Sequence, residues 1–135
     1  MFKKFLKPAH LPASADWGVL ILRVGVSVMM LTHGLPKFNK LINGEHGFAD
    51  PIGIGELPSL ILAVSAEVFG SLFLILGLAS RAVLIPLIFT MCIAYFVIHA
   101  NDPFDVKEHA LLFLVPYITL FLTGPGRISL DKKLF

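Results

Sequence analysis

The chain is 135 residues long; 56% of them are hydrophobic, only 15% are charged, and the mean hydropathy is +0.84. A soluble domain of this size carries about 45–50% apolar and roughly 25% charged residues and leaves much of its surface in water, so a soluble domain, a disordered chain and a collagen-like repeat are all excluded. A net charge of +2, from 11 basic and 9 acidic residues, is too small for a phosphate-binding stripe, which excludes nucleic acid as a partner. The expected partner is the lipid bilayer.

Residues 1–16 read as a basic N-terminal tail with Lys3, Lys4 and Lys7. Phe2, Phe5 and Leu6 alternate with these lysines and suit either the membrane surface or a disordered tail. Pro8, His10, Pro12 and Asp16 stand where a cleaved signal peptide would have its apolar core, so none is expected. Four apolar stretches follow, at about 17–32, 57–78, 82–98 and 110–123. A helix needs roughly 20 residues to cross a bilayer; the second and third meet this, and the first and fourth must extend into polar residues. Residues 33–56 have loop composition, with Gly34, Pro36, Asn43, Gly44, Gly47, Pro51, Gly53 and Gly55. Gly77-Leu78-Ala79-Ser80-Arg81 joins the second and third spans as a tight antiparallel hairpin. Asn101-Asp102-Pro103 turns the chain into the fourth span, and Gly124-Pro125-Gly126 stops it. Pro86 and Pro116 should kink the spans that hold them.

These elements predict an all-α, integral membrane four-helix bundle over residues 17–131, followed by a C-terminal tail at 132–135. If both termini share one side, that side carries Lys3, Lys4, Lys7, Arg81, Arg127, Lys132 and Lys133 against Lys37, Lys40 and Lys107 on the other. The positive-inside rule then places both termini in the cytoplasm. A single cysteine, Cys92, allows neither an intrachain disulfide nor a CxxC redox pair and reads as a small apolar residue within a span.

Ionisable groups inside spans are expensive and need a purpose. Arg23 lies about 9 Å beyond Trp17 at a rise of 1.5 Å per residue, and Glu67 lies near the middle of the second span, which runs the other way. The two are expected to pair, either as a polar site or proton path, or as a buried ion pair that only fixes helix packing. Ala63, Gly70 and Ser71 share the face of Glu67 and would let a neighbouring helix approach. A second group gathers at the opposite ends of the spans: His33 closing the first, His99 closing the third, Glu108 and His109 opening the fourth. Imidazole and carboxylate suit proton transfer near neutral pH. The spacing lacks a His-x-x-x-His signature, so no metal is expected. Glu108 also suits a helix start, and His109 points about 100° away from it, so the two are not expected to share a site. Cys92, Tyr95, Phe96 and His99 form a stripe that could border a flat ring such as a quinone, or simply pack against neighbours or lipid.

Taken in order, Leu22-Arg23-Val24-Gly25, His33-Gly34-Leu35-Pro36-Lys37, Ala66-Glu67-Val68-Phe69-Gly70, Gly77-Leu78-Ala79-Ser80-Arg81, His99, Glu108 and the ending Gly124-Pro125-Gly126-Arg127-Ile128-Ser129-Leu130-Asp131 resemble the DoxX family of small four-helix membrane proteins. The resemblance covers about residues 17–131. It implies a membrane subunit of a quinone-linked oxidoreductase of the DoxX/DoxD type, tied to thiosulfate, sulfur or oxidative-stress chemistry. On that reading Glu67, His33, His99 and Glu108 are the candidate catalytic residues. Arg23, Glu67, Tyr95 and His99 are the candidate residues for holding the quinone. The rival expectation is a non-catalytic membrane subunit or assembly factor with a protein partner or a second copy of itself. A transporter ranks last, because no inverted repeat is visible.

Overall fold

In the computed structural model, which describes residues 1–135, the polar sequence around Pro36 does not end the first span. Helix α1 (Phe2–Leu6) is short; α2 (Ala13–Ile42) runs for 30 residues straight through Pro36. Proline inside a helix removes one backbone hydrogen bond and usually breaks it, but membrane helices tolerate it where neighbours and hydroxyls re-satisfy the backbone. The carbonyl that Pro36 leaves without its helical donor is that of Thr32. The first span therefore begins four residues before Trp17 and ends ten after Thr32. At 1.5 Å per residue α2 is about 45 Å long, well beyond a hydrocarbon layer of about 30 Å.

The remaining spans are α3 (Glu56–Leu76), α4 (Ser80–Ile98) and α5 (Phe104–Thr123), with a last short helix, α6 (Leu130–Leu134). With α2 they are four helices long and apolar enough to cross a membrane. Two of them change winding: Ser65–Gly70 in the middle of α3 and Ala94–Ile98, the last turn of α4, are π-helical. Each helix packs on its neighbours in sequence, and α5 returns to α2, which closes an up-down-up-down bundle. Val26, Met30, Leu74, Leu84, Leu87, Tyr117 and Leu120 fill its centre. Ile21, Leu112 and Leu122 face outward, as lipid contact requires.

One end of the bundle is closed by arginines. Gly77 adopts φ 66° and ends α3, with the Leu78 N–H donating to the Phe73 carbonyl at 2.9 Å. The chain then re-enters α4 through Ala79, also left-handed at φ 49°. The carboxylate that caps α4 comes from far along the chain: Asp131 accepts the Ala79 and Ser80 N–H groups at 2.7 and 2.9 Å. The Arg23 guanidinium, 2% exposed, donates to the carbonyls of Pro125, of Ile128 at 2.9 Å and of Ile75 at 3.4 Å. Arg81 donates to the Phe5, Lys7, Phe121 and Leu122 carbonyls, which fastens the N-terminal segment to α5. Arg127 pairs with Asp16 at 2.7 Å. The N-terminal segment, the α3–α4 turn and the C-terminal segment thus lie on one side of the bundle. Residues 1–16 are part of this end rather than a loose tail, with Leu6 buried and Phe5 against Phe121.

The expected Arg23–Glu67 pair does not form. Antiparallel packing sets Arg23 level with Ile75 and Gly77, eight to ten residues beyond Glu67, or about 12–15 Å along the helix. Counting depth from Trp17 hid this offset, because α2 runs ten residues past Thr32 and its middle lies at Ser27 and Val28. Arg23→Ala would leave three carbonyls at this end without their donor and is expected to cost on the order of 3–5 kcal/mol in thermal unfolding in detergent. Arg23→Lys should not restore it, since an ammonium lacks the planar fork that reaches several carbonyls at once. Asp131→Ala, which removes the cap of α4, should cost about 1–2 kcal/mol in the same assay.

Candidate functional site: an ion pair between two cavities

Glu67 lies in the π-helical turn of α3, 2% exposed, and its partner comes from the stretch of α2 that reads as loop. The Lys37 ammonium donates to both carboxylate oxygens, at 2.7 Å each. The approach depends on Gly34, one turn before Lys37. A methyl group there would stand 3.0 Å from Glu67 Cβ, 3.0 Å from Val68 Cγ2 and 3.2 Å from the Glu67 carbonyl carbon. With hydrogen at that position the two backbones touch, and Lys37 falls over Glu67. The inward face read from Ala63, Gly70 and Ser71 is the face that packs: all three are buried, and Gly70 lies against Leu87.

Two cavities meet at this pair. The larger, about 270 Å³, is mainly apolar and is walled by Phe48, Ile52, Ile54, Phe89, Ile93 and Ile98 around Lys37 and Glu67. Phe48, Pro51, Ile52 and Ile54 of that wall come from the connection between α2 and α3. It is held in place by Asp50, which accepts the Gly55 N–H at 3.0 Å, and by Phe48 packed beside Leu60, Val64 and Val68. Pro86 also lies on this wall. The smaller cavity, about 140 Å³, is lined by His33, His99 and His109 together with Met30, Met91 and Phe113, again around Lys37 and Glu67. Ala94, in the π-helical turn of α4, borders both. Both interruptions of regular α-helix therefore flank the same site, which is where such turns are frequently found.

Within the small cavity His99 is fixed by Asp102, whose carboxylate lies 2.7 Å from Nδ1. That contact assigns the Nδ1 proton to the Asp102 hydrogen bond and leaves Nε2 as the free nitrogen. The His33 ring meets Phe113 edge-on at 5.5 Å. No group of three His, Cys, Asp or Glu side chains is arranged to hold a metal ion.

The residues singled out in the sequence divide as follows. Glu67, His33 and His99 come together around the two cavities, although His33 sits within α2 rather than closing a span. Arg23 lies at the other end of the bundle, taken up by three carbonyls. Tyr95 is not on either wall; it meets the Phe96 ring edge-on and lies under the Lys107 ammonium, 4.9 Å from the ring centre. Glu108 also lines neither cavity, and it is not at a helix start, because α5 begins at Phe104 and places Asp105 in its first turn. Its neighbour His109 reaches the small cavity instead, and the 100° between adjacent helical positions decides that only one of the two can. Sequence reasoning missed Lys37, and of the neighbours Glu108 and His109, which it did not expect to share a site, it chose Glu108 as the candidate. For Lys37 the available signal was its spacing: four residues after His33 and three after Gly34, it shares their helix face once Pro36 is allowed inside the helix.

A family model described as DoxX matches residues 18–100. The chain is 33% identical over 124 residues to an uncharacterised protein of Haemophilus influenzae, covering 84% of this chain and 88% of the relative. It is 31% identical over 123 residues to a Bacillus subtilis protein named "Putative oxidoreductase CatD", covering 90% of each. A second uncharacterised Haemophilus influenzae protein is 27% identical over 132 residues, covering 87% of this chain and 85% of the relative. No solved structure matches the chain.

Gly34→Ala tests the contact on which the site rests. The clash involves backbone as well as side chain, so α2 and α3 must separate, at an expected cost of about 1–3 kcal/mol in thermal unfolding. Gly18→Ala, where nothing lies within 4 Å of the added carbon, should leave the unfolding temperature unchanged or higher and serves as the control.

Proposed function

This chain belongs to the DoxX family of multi-pass membrane proteins, and from that premise we propose that it is a membrane subunit of a quinone-linked redox system, serving sulfur, thiosulfate or oxidative-stress chemistry in the cell inner membrane. The observation that carries the reading is the Lys37–Glu67 pair, set between an apolar cavity and a histidine-lined one. The name of the Bacillus subtilis relative, an oxidoreductase, supports the same direction.

The residues present fit a quinone ring. The larger cavity is just under the ~300–1,000 Å³ usual for small-ligand pockets, which suits one ring rather than a large cofactor. Its wall is aliphatic and aromatic, with a single charged donor, Lys37, and a single carboxylate, Glu67. A bound quinone would supply a two-electron, two-proton acceptor. Lys37 would donate a hydrogen bond to a carbonyl oxygen, and Glu67 would hold Lys37 in place. The apolar wall excludes water and so strengthens both interactions. On the other side stand the imidazoles of His33, His99 and His109, a side-chain type suited to relaying protons, and Asp102 orients His99. The rest of the machinery, including the electron donor, belongs to a partner protein.

One observation favours the alternative, a non-catalytic subunit or assembly factor. Arg23, Arg81 and Asp131, which stand in the motifs that resemble the family, all serve to fasten one end of the bundle. Both readings are separated by purifying the protein in mild detergent, extracting it and measuring quinone by mass spectrometry. Near-stoichiometric quinone in the wild type, falling at least tenfold in Glu67→Gln with helicity intact, is expected; a 1.4 kcal/mol loss already gives tenfold. Equal quinone in both proteins would remove Glu67 from the site. Background quinone in the wild type would favour the non-catalytic subunit.

A further inference from the structure

The larger cavity is open on its outer side. Of the residues that wall it, Leu62 on α3 and Phe89 on α4 are each 56% exposed. Phe89 stands midway along α4 (Ser80–Ile98), and Leu62 lies about 9 Å inside the start of α3 at Glu56. Both levels fall within a hydrocarbon layer of about 30 Å, so what lies outside this rim is lipid rather than water. The opening is bounded along the helices. Towards the arginine end, α3 and α4 close on each other at Gly70, where an added methyl carbon would meet Leu87 at 3.4 Å. Towards the other end, the exposed Ile52 and Ile54 of the α2–α3 connection complete the wall. Between these limits Ala63 and Ala66 on α3 and Ala94 on α4 line the cavity with methyl groups alone, which leaves the space unfilled.

The charges of the cavity wall are Lys37 and Glu67. Two N–H groups of the Lys37 ammonium go to Glu67, and a third is left for an incoming oxygen. A fitting ligand therefore has an oxygen at one end and an apolar body behind it. A cavity of about 270 Å³ holds one ring and no long chain, so a chain attached to that ring has to leave through the side. We infer that the larger cavity is loaded sideways from the bilayer, between Leu62 and Phe89, by a quinone with a long apolar tail. The ring passes inward to Lys37 and the tail stays in the hydrocarbon. The inference rests on the quinone reading of this site and names the substrate class: a quinone resident in the bilayer, not a water-soluble ring. Leu62 and Phe89 select by route. An apolar rim at this depth lets an apolar tail pass and turns back charged or hydrated molecules, whose lost water nothing there replaces. No bond, proton or electron moves in loading.

The route is tested by narrowing the opening after the protein has folded. Leu62→Cys is made in a Cys92→Ala background, purified in mild detergent and reacted with a bulky maleimide. Leu112→Cys, on the outer face of α5 and on neither cavity wall, is labelled in the same way as the control. Labelled and unlabelled proteins are placed in phospholipid vesicles containing a decyl-tailed benzoquinone. The quinone held by the re-purified protein is followed over time by mass spectrometry. The label at Leu62 is expected to slow uptake by about tenfold or more, and the label at Leu112 to change it by less than about twofold. Equal uptake with both labels would overturn the sideways route and leave the quinone reading standing, since quinone is still bound. No uptake by the unlabelled proteins would overturn the quinone reading, and the route with it. Should the Cys92→Ala background not accumulate, Leu62→Trp and Leu112→Trp in the otherwise unchanged chain are compared in the same assay, with the same outcomes.

Discussion

The contact between Gly34 and the backbone of Glu67 sets the register on which the remaining structure depends. Because no Cβ intervenes, α2 and α3 touch there, and an antiparallel pair that touches at one level is fixed at every other. Three residues beyond Gly34, Lys37 falls over the Glu67 carboxylate. Eleven residues before it, Arg23 falls level with the end of α3 and beyond reach of Glu67. A single close approach thus separates two charges that the sequence appears to bring together, and provides each with other partners.

The two ends of the bundle consequently do different work. At one end, Arg23, Arg81 and Arg127 reach carbonyls and carboxylates contributed by the terminal segments, and Asp131 caps α4 across more than fifty residues of sequence. These groups are consumed by backbone partners and hold the spans in place. At the other end the connections are longer, the helices are interrupted by π-helical turns, and space is left around Lys37 and Glu67. Rigidity at the first end allows the second to keep cavities, because packing forfeited around the site is offset by hydrogen bonds that lipid cannot compete for.

The site differs from a structural ion pair in its surroundings. A pair that only fixes packing is best enclosed on all sides, whereas this one has an apolar cavity on one flank and imidazoles on the other.

The sequence by itself determined the class, the number of spans and the hairpin at Gly77, because lipid leaves the backbone few options and hydrophobic length reports them directly. It also marked Glu67, His33 and His99 as groups needing an explanation, since ionisable and imidazole side chains are rare within or at the ends of spans. Helix ends were less legible: Pro36 and the polar residues after it suggested a loop, yet α2 continues to Ile42, and α5 starts at Phe104 rather than near Ala110. For α2 tertiary contacts overrode the local signal of Pro36; α5 starts directly after the turn at Asn101-Asp102-Pro103, ahead of its apolar stretch. Which charge meets which was decided only by the tertiary structure. Pairing depends on the relative height of two helices, and height is fixed by where their backbones touch, at Gly34 and Glu67, a contact between residues 33 apart in the chain. The same holds for His109 over Glu108 and for the loop residues that wall the larger cavity: periodicity gives the direction of a side chain around its own helix, but not what stands opposite it.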